Sequence, residues 1–455
     1  MATTYLTRTQ GTPTNNKIFT ISCWFKASQV ANEMKLIYSD DNSTNNYTYI
    51  HFSDSSGRIR FQNRNGGSNN TELVWQNYIR DFSAYYHLVM AVDSTQSTAS
   101  NRVKFYLNGV QQTTLDSSHN TYPPVNQSFT LNSGGYGVDI GANGYNNNAY
   151  FEGIMSHFHF CDGTQLAPTA FGETDSTTGE WKIKTSPSFT LGNNGFTILK
   201  DGNTITDQSS NSNNFTLASG TLTKTEDCPD NVFPTMNRIS PTVAALAGVM
   251  GNGNLWNGGQ SPNNWQSIGA TMAASSGKFY WEFKIEGVWG NTSQTTHRHG
   301  IANYNVAVNQ NLGSAGDVAW TDDAIAIGWQ NSSGVRYSNS VTSGYGTYVA
   351  SNILMFAMDL DNLKLYLGKN GVWENSGNPE SGSTGTGAFS IPVAGIWCPY
   401  SETKYGSDYV SWNCGNGYFR TTTISSAGTN ASGNGIFEYN VPTGYTALST
   451  KGLNA

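Results

Sequence analysis

Apolar and polar side chains alternate along the stretch Lys278-Phe279-Tyr280-Trp281-Glu282-Phe283-Lys284-Ile285-Glu286. The odd-numbered positions are apolar, and the charged residues lie on the opposite side. This period of two is typical of a β-strand with one buried and one solvated face. The first half of the chain shows the same pattern in Phe19-Thr20-Ile21-Ser22-Cys23-Trp24-Phe25-Lys26. Both halves are therefore predicted to consist of strands.

Two segments of the chain repeat one plan. The apolar run 87–93 ends in Asp and leads to an alternating strand at 103–107, which is followed by Asn108-Gly109. The run 353–359 leads in the same way to 363–367 and then to Asn370-Gly371. Because Asn and Gly tolerate the positive φ of a two-residue hairpin, each second strand should fold back on a third. We predict one β-sandwich per half; the alternative, that any all-β protein contains such hairpins, stays open.

Length and composition agree with an all-β chain of two sandwich domains. The 455 residues exceed one ordinary domain of about 100–200 residues. Charged residues make up 12%, against about 25% in ordinary soluble domains, and the 49 Gly favour turns over long amphipathic helices. We predict a first sandwich at 1–175, an ordered connector with short strands at 176–238, and a second sandwich at 239–455.

The charge balance excludes several classes of partner. With 24 Lys and Arg against 31 Asp and Glu, the net charge is -7, so no basic footprint for nucleic acid or anionic membranes is expected. The longest uncharged apolar stretch, 243–250, is far shorter than the roughly 20 residues of a membrane span. The first residues lack the apolar core of a signal peptide. We expect that the protein is made in the cytoplasm and does not insert into a membrane.

Several segments together suggest a known architecture. In the first half they are Tyr5-Leu6-Thr7-Arg8-Thr9, the strand and hairpin described above, and Phe151-Glu152-Gly153-Ile154-Met155-Ser156-His157-Phe158-His159-Phe160. This half resembles the laminin-G-like (concanavalin-A-like) sandwiches of tailed-phage virion proteins, which have a jelly-roll fold. The second half, from Ser276-Gly277-Lys278 through Gly300-Ile301-Ala302 to Pro442-Thr443-Gly444-Tyr445, is similar to a SPRY-type sandwich.

The resemblance implies a phage virion protein made in the host cytoplasm and placed on the tail or capsid surface. Its partners would be other virion proteins and bacterial surface polysaccharide, and trimers are the usual assembly of fibres. The leading hypothesis is a tail fibre or host-contact protein that binds a bacterial surface glycan. The alternative is a head-decoration or tail-assembly protein that binds other virion proteins, and a polysaccharide depolymerase is a less supported third.

Sugar recognition needs flat aromatic rings beside amide and hydroxyl groups. Two predicted loops of the first half have this mixture: Asn46 with Tyr47 and Tyr49, and Tyr145 with Asn146 and Asn147. In the second half, four aromatic residues in predicted loops are candidates for a glycan or protein contact: Trp289, Tyr304, Tyr345 and Tyr348. The alternative for each is a packed loop anchor.

A calcium site is the one cofactor that the sequence leaves open. Sandwiches of the first type often hold Ca²⁺ at the rim, and the oxygen donors would be Asp40, Asp41, Asn42 and Asp139. The alternative is that these are solvated turn residues.

Catalysis finds little support in the sequence. Glu282 and Glu286 have the even spacing of a glycosidase pair, but the strand pattern predicts that both face solvent. No Gly-x-Ser-x-Gly motif occurs. We expect a non-enzyme.

Overall fold

The computed structural model describes residues 3–30, 33–200, 204–237, 250–251, 253–258, 266–288, 296–304, 326–332, 334–337 and 340–454. The chain divides into two compact units, Met1–Lys224 and Thr225–Ala455. Strands dominate the regular secondary structure of both units, as predicted. No helix in the described ranges is long and apolar enough to cross a membrane.

The described residues of the first unit form sixteen strands and one short α-helix. The strands are β1 (Tyr5–Thr9), β2 (Ile18–Ala27), β3 (Lys35–Asp40), β4 (Tyr47–Phe52), β5 (Ile59–Asn65), β6 (Ser68–Trp75), β7 (Tyr86–Asp93), β8 (Val103–Leu107), β9 (Val110–Gln112), β10 (Leu115–Thr121), β11 (Gly137–Ile140), β12 (Gly153–Asp162), β13 (Gly172–Thr174), β14 (Trp181–Ile183), β15 (Phe196–Ile198) and β16 (Thr216–Ser219). The helix, α1, covers Ala99–Arg102.

Two sheets form the sandwich of the first unit. One has eight strands in the order β10-β6-β5-β4-β3-β11-β1-β16, and the other has six in the order β15-β12-β2-β7-β8-β9. The predicted apolar face of β2 lies in the core, since Phe19, Ile21, Cys23 and Phe25 are buried. The core also contains Ile37, Ile50, Phe61 and Val138 of the larger sheet.

The opposite face of β2 is also buried, contrary to the half-solvated pattern. Phe171 packs there on Val89 and Cys161, with Phe189 and Leu191 beside them. Residues 176–224, predicted as connector, therefore belong to the first unit, whereas 225–238 belong to the second. Period-two alternation identifies the strand but not the segment that covers its second face.

The second unit contains seventeen strands in its described part. They are β17 (Met250–Gly251), β18 (Trp256–Gly258), β19 (Gln266–Gly269), β20 (Lys278–Gly287), β21 (His297–Asn303), β22 (Ala326–Gln330), β23 (Val335–Tyr337), β24 (Ser340–Thr342), β25 (Ile353–Asp359), β26 (Lys364–Lys369), β27 (Val372–Trp373), β28 (Phe389–Ser390), β29 (Trp397–Thr403), β30 (Tyr409–Asn413), β31 (Tyr418–Phe419), β32 (Thr422–Thr423) and β33 (Thr446–Ala447).

Two sheets again enclose the main core. A nine-stranded sheet follows the order β17-β18-β30-β20-β25-β26-β27, with β28 on β26 and β33 on β20, and a six-stranded sheet follows β19-β29-β21-β22-β23-β24. Phe279, Trp281, Phe283 and Ile285 of β20 enter this core, as the alternation predicts. On the other face of β20, Tyr280 packs in a second cluster with apolar residues of 437–447.

The two predicted hairpins share one geometry, each in its own unit. Asn108 and Gly109 have φ of 48° and 79°, and Asn370 and Gly371 have 48° and 85°. The Asn108 side chain accepts a hydrogen bond from His87 N at 2.8 Å. The Asn370 side chain accepts one from Ile353 N at 2.9 Å. In both hairpins the Asn ties the turn to the preceding strand, which confirms the repeated plan.

Candidate functional site

The outward side of the eight-stranded sheet carries three stacked tyrosines, which we call the tyrosine face (Tyr38, Tyr47 and Tyr49). Tyr38 on β3 pairs with Tyr49 on β4, and Tyr47 stands two residues before Tyr49 on the same side. The rings of Tyr47 and Tyr49 have centroids 5.3 Å apart and planes 13° apart. Tyr38 stacks on both at 6.3 Å. The strand register, with its side chains alternating between faces, produces this cluster.

Hydrogen bonds hold the tyrosine hydroxyls in place. Tyr49 donates to Gln62 Oε1 at 2.5 Å, and Gln62 Nε2 donates to the Tyr47 hydroxyl oxygen at 3.2 Å. The Arg64 guanidinium carbon lies 5.9 Å from the centre of the Tyr47 ring. Tyr38 and Tyr49 are buried, whereas Tyr47 is half-buried. Tyr47 is therefore the accessible aromatic ring of the cluster, and it lies beside the Gln62 amide and the Arg64 guanidinium group.

A buried amine lies at the other end of the stack. Lys35 Nζ is 4.0 Å from the centre of the Tyr49 ring and 3.0 Å from His51 Nδ1. Burial lowers the pKa of Lys35 to about 8. Burial and the Lys35 charge also lower the pKa of His51 well below its usual value. His51 is therefore neutral at pH 7, and its ring nitrogen can accept a hydrogen bond from the ammonium group.

The loop between β3 and β4 uses its polar side chains internally. Asp41 accepts hydrogen bonds from Ser43 Oγ and Asn46 Nδ2, both at 2.6 Å. Asn46 Oδ1 accepts a third from Gly66 N at 2.8 Å. Asn42 is exposed with a φ of 61°. Asn46 and Asp41, predicted as a ligand contact and a metal ligand, therefore shape the loop that leads into Tyr47.

Asp40 and Asp139 are the two predicted metal ligands that the sheet brings together on the tyrosine face. Asp139 pairs with Tyr38, and Asp40 pairs with Gly137, two residues before Asp139 on β11. Both carboxyl groups are buried. Burial, with the charge of Asp40, raises the pKa of Asp139 to about 6. Two carboxylates are few for Ca²⁺, which takes 6–8 oxygens, and the described ranges hold no cluster of three or more His, Cys, Asp or Glu side chains suited to a metal.

The second predicted sugar loop joins the tyrosine face through Asp139. Gly144 N donates to Asp139 Oδ2 at 3.1 Å, and the Tyr5 hydroxyl donates to Asn147 Oδ1 at 3.1 Å. Tyr145 next to Gly144 is 42% exposed. Asn146 and Asn147 are also exposed. This loop therefore presents one aromatic ring and two amides, as expected from its sequence.

The predicted contacts of the second unit have a different role. Tyr348 is buried and donates to the Trp329 carbonyl oxygen at 2.9 Å. Tyr345 is also buried in the core, and the half-buried Tyr304 packs against the same core. Tyr345 and Tyr348 are packed loop anchors, which is the alternative for each, whereas a contact at the half-buried Tyr304 stays a prediction. Trp289 lies outside the described residues.

Glu282 does not face solvent, contrary to the expectation from alternation. Its carboxylate accepts hydrogen bonds from the backbone N–H groups of Glu438 and Tyr439, both at 2.8 Å. The Tyr280 hydroxyl donates to it at 2.9 Å. The side chain is completely buried, because residues 437–447 cover this face of β20. Glu282 therefore holds that segment on β20 through hydrogen bonds, and a sugar could not reach its carboxylate.

Comparison with known proteins bears on the first unit. Residues 1–168 match the family described as "Concanavalin A-like lectin/glucanases superfamily". No curated protein matches the chain.

Three solved structures that the chain resembles have low TM-scores. The SPRY domain of human HERC1 is 16% identical, over 33% of this chain and 83% of its own, with a TM-score of 0.25. A heptameric SAP-like pentraxin from Limulus polyphemus is 18% identical, over 36% and 72%, with a TM-score of 0.26. Domain 4 of AbnA, a GH43 extracellular arabinanase from Geobacillus stearothermophilus, is 15% identical, over 34% and 64%, with a TM-score of 0.25. These scores are too low to assign either unit to a family, and the family match extends over residues 1–168 alone.

Proposed function

We propose that the chain is a non-enzymatic virion protein of a tailed phage, a tail fibre or related host-contact protein that binds a bacterial surface glycan through its first unit. The observation that carries this proposal is the tyrosine face, with Tyr47 as the accessible end of a hydrogen-bonded stack. Its partners would be the surface polysaccharide and other virion proteins.

The chemistry of this face suits a neutral sugar. The apolar side of a pyranose can pack on the Tyr47 ring, because a stacked and hydrogen-bonded ring loses little freedom on binding. Arg64 offers guanidinium donors beside that ring. The exposed loop with Tyr145, Asn146 and Asn147 supplies a second ring and amides for sugar hydroxyls. One ring gives modest affinity, so repeated copies on a particle would raise avidity through effective concentration.

The test is binding of purified host surface polysaccharide to the full chain and to the Tyr47→Ala variant. Loss of the stacked ring should weaken binding about tenfold. The matched control is Tyr78→Ala, since Tyr78 is 45% exposed in the same unit and also carries an arginine, Arg80, over its ring. Equal binding by both variants, or no saturable binding by the unaltered chain, would contradict the proposal.

One observation favours a second candidate, a glycan hydrolase. Asp40 and Asp139 share the tyrosine face, and burial raises the pKa of Asp139 to about 6, so the Asp139 carboxyl group can hold a proton at mildly acidic pH. A proton-holding carboxyl group beside a second carboxyl group is the pair that glycoside hydrolysis uses. Release of reducing ends from the bound polysaccharide, abolished by Asp139→Asn, would establish hydrolysis. Unchanged polysaccharide after prolonged incubation would reject it.

A further inference from the structure

A groove in the first unit lies outside the tyrosine face. It has a volume of about 450 Å³ and is lined by Thr7, Arg8, Thr9, Ser212, Asn213, Asn214 and Thr216. It forms where β1 and β16 pair, with Thr7 opposite Thr216. The groove is open to solvent, and its lining is more polar than apolar.

Arg8 supplies the positive charge of this groove. Its Nη2 donates to Asn213 Oδ1 at 2.6 Å, and its Nη1 donates to the Asn194 carbonyl oxygen at 3.4 Å. The guanidinium carbon lies 5.9 Å from the ring centres of both Phe196 and Phe215. Two neutral acceptors and two rings fix the orientation of the group. A guanidinium has further N–H donors beyond these two, so Arg8 can still bind a ligand oxygen.

One acid that acts on Arg8, Asp207, lies outside the groove lining. Asp207 is the carboxylate whose charge raises the pKa of Arg8, against the larger lowering by burial. Asp207 already accepts from Thr197 N at 2.9 Å, from Ser209 N at 3.0 Å and Ser209 Oγ at 2.8 Å, and from Asn213 N at 2.8 Å. The side chains that line the groove comprise hydroxyls, amides and one cation, without an acid. The groove therefore presents one cationic donor among neutral polar side chains.

We infer that this groove binds the carboxylate of an acidic saccharide, with Arg8 as the charge partner. A carboxylate matches the planar guanidinium, and the hydroxyl and amide side chains around it suit the hydroxyls of a sugar ring. The inference rests on the proposed glycan binding and adds that the glycan contains a uronic acid or a similar unit. The groove would select among glycans that the tyrosine face alone does not distinguish.

The experiment compares α-1,4-linked galacturonate oligomers with the same oligomers after methyl esterification, by calorimetric titration of the full chain. Esterification removes the charge and keeps the ring. The acidic oligomer should bind at least about tenfold more tightly than the ester, and this preference should shrink as salt is raised. Arg8→Gln should abolish the preference. Arg80→Gln, which removes an exposed arginine stacked on Tyr78, should leave it unchanged.

A second substitution guards against a folding defect in Arg8→Gln. Asn213 Oδ1 accepts from Arg8 Nη2 at 2.6 Å, so Asn213→Asp keeps the size of the side chain and places a carboxylate against the guanidinium group. Loss of the preference in Asn213→Asp as well as in Arg8→Gln would support the inference. Equal binding of acid and ester, or a preference that survives both Arg8→Gln and Asn213→Asp, would overturn it. Tyr47-dependent binding of the neutral ester without any preference would leave the proposed function standing and reject only the acidic ligand.

Sodium acetate at the same concentration should not compete with the acidic oligomer. Full competition would indicate a site for free carboxylate ions and would also reject the saccharide.

Discussion

Asp162 provides the sharpest test of how the first unit is held together. Its carboxylate, 2% exposed, accepts hydrogen bonds from Thr14 N at 2.6 Å, Asn15 N at 3.0 Å, Asn132 Nδ2 at 2.7 Å and Asn194 N at 3.1 Å. These donors come from three separate parts of the chain. Asp162→Asn keeps the shape but leaves one acceptor oxygen, so two donors would face an amide N–H₂ instead.

The magnitude follows from the two lost bonds. A hydrogen bond to a charged group contributes about 1.5–3 kcal/mol, so the free energy of unfolding should fall by roughly 3–6 kcal/mol. For a unit of this size, each kcal/mol corresponds to about 2–4 °C. The melting temperature of the first unit should therefore drop by at least about 6 °C.

The assay is differential scanning calorimetry of the full chain, in which the two units can unfold separately. Glu173→Gln is the matched control, since it also removes one negative charge from the first unit. The Glu173 side chain is 50% exposed and lies 3.6 Å from Lys182 Nζ. Such a surface pair contributes little, and we expect a change below about 1 kcal/mol. A melting temperature for Asp162→Asn within 2 °C (roughly 1 kcal/mol) of the unaltered protein would refute the reasoning.

Three further outcomes are expected. Burial raises the pKa of Asp139 to about 6, so the protonated carboxyl group stabilises the fold fully below about pH 4, and up to roughly 3 kcal/mol of this stability is lost as the pH rises through 6. Asp139→Asn should flatten this part of the curve of stability against pH. Parallel curves for the two proteins would contradict the expectation. In urea unfolding, Gly109→Ala should destabilise the first unit by about 1–3 kcal/mol more than Gly66→Ala. Both glycines have positive φ, but only at Gly109 would the new Cβ lie 2.5 Å from the Trp181 ring. Equal losses of stability would show that the ring moves aside. Tyr348→Phe removes a buried hydrogen bond to a backbone carbonyl oxygen. It should lower the stability of the second unit by about 1–3 kcal/mol without changing glycan binding. Weaker glycan binding by a stably folded variant would show that Tyr348 contacts the ligand.

Strand position could be predicted from the sequence, but the cover over each strand could not. The period-two pattern in β2 and β20 correctly assigns Phe19 and Trp281 to the core. The same pattern places Glu282 in solvent, which is wrong because residues 437–447, far away in sequence, pack over it. Alternation describes one strand, whereas burial of its second face depends on a distant segment whose docking leaves no local signal.

The candidate site divides in the same way. Tyr47 and Tyr145 were identified from local composition, as aromatic residues among Asn. Tyr38 and Gln62, which complete the tyrosine face, were missed, because only the pairing of β3, β4 and β5 brings them beside Tyr49. Tyr345 is predicted as a contact because it is an aromatic residue in a loop, and the structure buries it. A loop sequence therefore indicates which side chains could bind a sugar but not which ones the fold leaves accessible.

The most direct measurement of the central claim is hydrogen–deuterium exchange of the full chain with and without saturating host surface polysaccharide. Backbone amides of β3, β4 and the loop at 143–148 should exchange more slowly in the bound protein, since ligand on the tyrosine face would cover them. Protection confined to other parts of the chain, or an exchange pattern that does not change when the polysaccharide is added, would contradict glycan recognition at this face.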